Sequence, residues 1–150
     1  MKILSFEVRF QELRINGEIF DNLIKTETEF NFGLNRNPED QEETFVGVSA
    51  FTKWDFQSGS SAIMQCVCGA FPKAFLITEM SFEEYITLVE AAIGEINLKL
   101  PEYLENTPLP NTLEIENLNK QFDKEKMKEL FENFKDHDGS TPISTFNEEK

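Results

Sequence analysis

The chain has 150 residues, enough for one domain with a sizeable core and too few for a comfortable two-domain enzyme. Its 28 acidic residues against 14 basic ones give a formal charge of -14, which repels phosphate backbones and anionic lipid and argues against nucleic acid and membrane surfaces as partners. Hydrophobic residues at 39% and charged residues at 28% are ordinary for a folded domain and argue against wholesale disorder.

Residues 1–11 carry one Lys and then alternate apolar with polar side chains, without the continuous apolar run and small-residue cleavage site of a secretory signal. No stretch reaches the 18 or so apolar residues of a membrane helix, so a cytoplasmic protein is expected. Leu4, Phe6, Val8 and Phe10 share one face of a first strand, and the apolar parity flips after Glu12 to Leu13 and Ile15, which predicts a bulge or a crossing. Asn16 and Gly17 signal a turn. Residues 18–25 hold Ile19, Phe20, Leu23 and Ile24 without clean spacing and read as an unusually apolar connecting loop.

Residues 26–34 alternate cleanly and predict a second strand, followed by a polar turn over 35–43 with Pro38. Residues 44–56 form a long third strand with apolar groups on both faces, so neither face is fully wet. A Ser and Gly turn over 57–61 leads to a fourth strand, 62–71, which Pro72 closes. Four strands with short links predict an antiparallel meander.

At Ser81 the period changes. Ser81 with Glu84 is a capping box, and Phe82, Tyr85, Ile86, Val89, Ala92, Ile93 and Ile96 fall at helical spacing. Pro101, Pro108 and Pro110 then predict an extended connection running through Leu118. A second helix is expected over 123–134, capped by Asp123, with Met127, Leu130, Phe131 and Phe134 on its apolar stripe. From Lys135 onward the composition predicts a disordered acidic tail, leaving residues 1–135 as a single domain and 136–150 outside it. The fold class expected is α+β, a four-stranded antiparallel sheet with two C-terminal helices packed on one face.

Chemistry has few residues to work with. The only histidine, His137, lies in the expected tail, so no Ser-His-Asp or Cys-His pair can be built in the folded part. Asp136, Asp138 and Gly139 match only a fragment of a calcium loop. Cys66 and Cys68 form CxC, too few ligands for a tetrahedral zinc site and a poor spacing for a mutual disulfide, and they read as small strand residues. No glycine-rich phosphate loop is present, and the adjacent acids Glu42–Glu43 and Glu83–Glu84 normally face solvent. The expectation is a protein that binds other polypeptides, without cofactor or metal, and is not an enzyme. Fifteen Phe against two Tyr and one Trp leave rings without polar handles, either core or lining a groove.

Three segments carry a family resemblance: FEVRFQELRINGEIF at 6–20, FNFGLNRNPEDQEETFVGVSAFTKW at 30–54 and PLPNTLEIENLNKQF at 108–122. In their order of strands, helix, proline-bearing stretch and helix, they resemble SecB and the SecB-like chaperones, some of which accompany toxin–antitoxin systems. The resemblance implies a homotetramer built as a dimer of dimers, an acidic surface and apolar grooves that hold non-native chains for protein transport. By position it makes Ile19, Phe20, Leu23, Ile24, Phe82 and Tyr85 client-binding candidates. The chain departs from the family at residues 57–61, which are Gln, Ser and Gly where members that dock the SecA motor carry acids, and at the start of the first helix, which lacks a Phe-Pro-Tyr-Ala type of motif. A holdase for unfolded polypeptides is therefore expected. The alternatives are a dedicated protein partner or inhibitor, such as a toxin–antitoxin-associated factor, and a small-molecule binder in the cleft between sheet and helix.

Overall fold

The alternation of residues 4–10 does form a strand, but its neighbour is not the next strand in the chain. A computed structural model describes residues 3–37, 40–72, 80–118, 124–135 and 144–145. The elements are β1 (Ile3–Asn16), β2 (Leu23–Asn37), β3 (Asp40–Phe56), β4 (Ser61–Pro72), α1 (Phe82–Leu104), α2 (Lys124–Lys135) and β5 (Ser144–Thr145). They give the expected α+β class, with one antiparallel sheet ordered β1-β4-β3-β2-β5. The meander holds for β2, β3 and β4 and fails for β1, which crosses the sheet end to pair with β4. The result is a Greek-key order read in the reverse chain direction.

The parity flip after Glu12 is a bulge. Phe10 faces Cys66 and Glu12 faces Gln65, so Gln11 is the extra residue, and Leu13 and Ile15 return to the face that Phe6, Val8 and Phe10 occupy. β2 and β3 run further into their hairpin than the predicted turn at 35–43 allowed, to Asn37 and from Asp40.

The even-numbered residues of β2, β3 and β4 make the inner face. Phe32, Leu34, Val46, Ala50, Trp54, Met64 and Cys66 are fully buried there. α1 covers β4, β3 and β1 with Leu88, Val89, Ala92, Ile96 and Leu100. The Ser81 hydroxyl accepts from the Glu84 amide at 3.1 Å and the Glu84 carboxylate accepts from the Ser81 amide at 2.9 Å, the capping box read from the sequence. Pro101 does not end the helix as expected. It has no N–H to give the Asn97 carbonyl, but Leu100 and Leu104 are buried on either side of it and Tyr103 stacks on Phe10 with ring centroids 4.2 Å apart.

Residues 109–118 take the extended path expected of them and roof the other half of the inner face. The Asn97 side chain accepts from the Ile115 amide at 2.8 Å, and the Trp54 indole donates to the Glu114 carbonyl at 2.9 Å. α2 joins this layer through Met127 and Phe131, both buried, with Phe131 packed on Tyr85 and Phe82. The expected cap Asp123 and the side chains of Leu130 and Phe134 lie outside the described residues. Of the stretch expected to be a disordered tail, Ser144–Thr145 pair with Asn31 and Phe32 on β2, and the remainder lies outside the described residues, His137 included.

The outer face is different in kind. Among the described residues it carries four ion pairs between residues two apart on one strand, Glu7–Arg9, Glu12–Arg14, Lys25–Glu27 and Lys53–Asp55. Between them lie Phe45, Phe51, Ile63, Val67 and Phe71, none of them fully buried. Both faces of β3 are apolar, as its sequence required, and only the inner one is closed.

Candidate functional site

Residues 17–22 must cross from β1 past β4 and β3 to β2, and they do so over the β3–β4 turn. Gly17 opens the crossing at φ 108°, the left-handed region where a side chain is strained. A Cβ there would stand 2.2 Å from Ser60 Oγ and 2.9 Å from Ser60 Cα, so the close approach itself demands glycine. The Ser58 hydroxyl donates to the Ile19 carbonyl, the Asn22 side chain donates to Gln57 Oε1 at 2.9 Å, and the Gln57 amide donates to the Asn22 carbonyl at 2.9 Å. Asn22 takes φ 52°, which its short amide tolerates better than most side chains.

Phe20 turns inward and meets Phe56 edge-on at 5.3 Å, pinning the middle of the crossing to the core. Its neighbours turn out. Ile19 is 60% exposed, Leu23 44% and Ile24 65%. These three aliphatics sit on a backbone fixed at several points, so their exposure is a property of the fold. Ile15, at the end of β1, adds a further exposed aliphatic group.

The two helical candidates lie elsewhere. The Glu95 and Lys99 charges act on Cys68, and Tyr103 lies beside Cys66, so α1 runs toward the Ser61 end of β4. Phe82 is then about 30 Å back along the helix from Tyr103. Tyr85 is fully buried, its ring 5.1 Å from Phe131, and burial pushes its phenol well above the ordinary value. Phe82 is partly buried against the same ring at 5.8 Å. The six candidates therefore divide: Ile19, Leu23 and Ile24 are each exposed to solvent, Phe20 packs on Phe56 between the first and second of them, and Phe82 and Tyr85 serve the contact between α1 and α2. The sequence reading missed Leu98, 72% exposed, although its place off the helical stripe was legible, and it missed Phe51, 44% exposed on the outer face.

Cys66 and Cys68 are free thiols on the inner face, as read. Burial pushes both up to about 12, helped at Cys66 by Cys68 and at Cys68 by Glu95 against the opposing pull of Lys99. Protonated thiols of this kind are poor nucleophiles and poor ligands. Among the described residues no group of three His, Cys, Asp or Glu could hold a metal ion, and no helix is long and apolar enough to cross a membrane.

No known family profile matches the chain, and no curated protein matches it by sequence. Among solved structures it is similar to a SecB-like chaperone of Mycobacterium tuberculosis, determined in complex with a ChAD peptide from the HigA1 antitoxin. The identity is 17%, the TM-score 0.47, and the match covers 79% of this chain and 87% of the other.

Proposed function

We propose that the protein is a SecB-like holdase that works without chemistry, binding apolar segments of non-native polypeptides at the crossing loop. The observation that carries this reading is the exposure of Ile19, Leu23 and Ile24 within six residues of a backbone held by Phe20, Ser58 and Gln57. A folded domain gains nothing by fixing three aliphatic side chains in water unless something covers them. The resemblance of residues 6–20 and 30–54 to the SecB-like chaperones agrees with it, and the charge of -14 speeds the approach of basic, unfolded chains.

Covering the exposed parts of these side chains contributes about 4 kcal/mol, enough for a weak, sequence-tolerant grip and too little for a tight one. Within residues 57–61, where the SecB resemblance would place acidic docking residues, Gln57 and Ser58 instead hold the crossing loop through Asn22 and Ile19. Docking on the SecA motor is therefore no part of the proposal.

The experiment is aggregation of an unfolded test protein in the presence of the full chain. Suppression at stoichiometric ratios, weakened several-fold in the triple variant Ile19→Ser, Leu23→Ser, Ile24→Ser, supports the reading. A wild-type chain that suppresses nothing, or one that captures a single folded partner while ignoring denatured clients, replaces it with the dedicated-partner reading.

A further inference from the structure

β2 has a neighbour from the far end of the chain. It pairs with β3 along one side, and on the other its Asn31 and Phe32 pair with Thr145 and Ser144 of β5. The Thr28 amide donates away from β3, to the Glu116 carboxylate. Backbone groups alternate sides along a strand, and the β2–β3 register is unbroken from Lys25 to Arg36. Thr28, Phe30, Phe32 and Leu34 therefore turn their backbone groups to the outer edge. Phe32 and Ser144 are then a hydrogen-bonded pair, and β5 closes the edge by strand addition.

Continued in either direction, the register of those two pairs meets an obstacle in the chain's own sequence. Toward the N-terminus of the segment it would set Pro142 level with Leu34, where the edge calls for an N–H that proline lacks. Toward the C-terminus it would set Glu148 level with Thr28, whose amide the Glu116 carboxylate takes, and Glu149 level with Glu27 and diagonal to Glu29. Like charges opposite each other on neighbouring strands repel, and Lys25, 3.2 Å from Glu27, offsets only one of these acids. Between the obstacles lie residues 143–147, none of them charged.

The contact is correspondingly slight. β5 is two residues long and supplies the bonds of one hydrogen-bonded pair, which barely repays the entropy of ordering the segment. An edge left open is a template for any chain that meets it, and an edge closed firmly takes none. A short occupant, stopped at both ends, lies between these extremes.

We propose that the segment at Ser144–Thr145 is a built-in competitor at the outer edge of β2, kept weak by Pro142, Glu148 and Glu149 so that an incoming extended polypeptide takes its place. The edge contact uses none of the crossing-loop residues. Only the identity of the incoming chain as a non-native client rests on the holdase reading.

The test compares three full-length chains: wild type, a loosened form (Ser144→Pro, Thr145→Pro) and a tightened form (Pro142→Thr, Glu148→Lys, Glu149→Lys). The first readout is hydrogen exchange at the Phe32 amide, expected to be several-fold faster than wild type in the loosened form and about tenfold slower in the tightened one. The second is fluorescence anisotropy of a labelled synthetic peptide, residues 139–150 with the three tightening changes. Its Kd is expected to be about tenfold lower for the loosened chain than for wild type, and about tenfold higher for the tightened chain. The variant Ile19→Ser, Leu23→Ser, Ile24→Ser is expected to bind this peptide as wild type does, so a failure of the holdase reading leaves the result standing. Equal exchange at Phe32 in the three chains would overturn the proposal. So would a peptide Kd that does not rise in the order loosened, wild type, tightened, or loss of peptide binding in the crossing-loop variant.

Discussion

Thr28 and Glu116 hold each other by reciprocal bonds: the Thr28 amide donates to the Glu116 carboxylate at 2.8 Å, and the Glu116 amide donates to the Thr28 hydroxyl at 3.0 Å. The same hydroxyl lies 2.9 Å from that of Thr52 on β3. One buried oxygen on β2 thus ties together the sheet and the segment that roofs it.

Replacing Thr28 with Val keeps the shape and removes the oxygen, so the part-buried Glu116 amide and the buried Thr52 hydroxyl each lose the bond they make to it. A loss of about 2 kcal/mol is expected from urea denaturation. The fluorescence of Trp54, whose indole bonds the adjacent Glu114 carbonyl, is the natural probe.

Gly17 offers a sharper local test. A Cβ at φ 108° would overlap Ser60, so Gly17→Ala is expected to cost more than about 2 kcal/mol. Gly59, at φ 94° with open space around it, should lose only about 1 kcal/mol on the same change, from backbone strain alone. Equal losses in thermal unfolding would mean that the close approach to Ser60 does not matter.

The thiols predict a pH dependence. Both are raised in the folded state from 9.0 to about 12, so above pH 9 the unfolded chain gives up its thiol protons before the folded one does. Unfolding then releases protons, and stability falls as pH climbs from about 9 toward 12. The contribution is fully present below pH 9. The double variant Cys66→Ala, Cys68→Ala should flatten the slope measured in urea between pH 8 and about 10.5. At neutral pH a thiol reagent should label neither cysteine until the chain unfolds.

At the N-terminus of α1, Ser81→Ala removes one half of the capping box and should cost about 1 kcal/mol. Ser81→Asp, which also caps and suits the helix dipole, should restore most of it.

Local patterns carried most of the fold. The bulge showed as a change of parity after Glu12 and the start of α1 as a Ser and Glu three apart; the connecting loop expected over 18–25 is shorter, because Leu23 and Ile24 already belong to β2. What failed needed knowledge of distant partners. Nothing in residues 3–16 says that they pair with β4 in preference to β2, because a strand's alternation fixes its buried face and not its neighbour. Pro101 looked like a stop because the packing that carries α1 past it comes from Phe10, far off in sequence. Of the candidate groove, the exposed aliphatics could be named from the sequence but not separated from Tyr85. A ring at helical spacing reads alike whether it faces water or, as here, Phe131.

The pairing of β1 with β4 also bears on how the chain is made. Phe6 registers with Ala70 and Asn16 with Ser61, so β1 leaves the ribosome ahead of β2 and β3 and has no long strand to pair with until β4 emerges. Through all of that time Phe6, Val8 and Phe10 have no sheet to close over them. Such long-range pairing is slow and open to aggregation, so this chain, during its own synthesis, passes through the state that a holdase exists to protect.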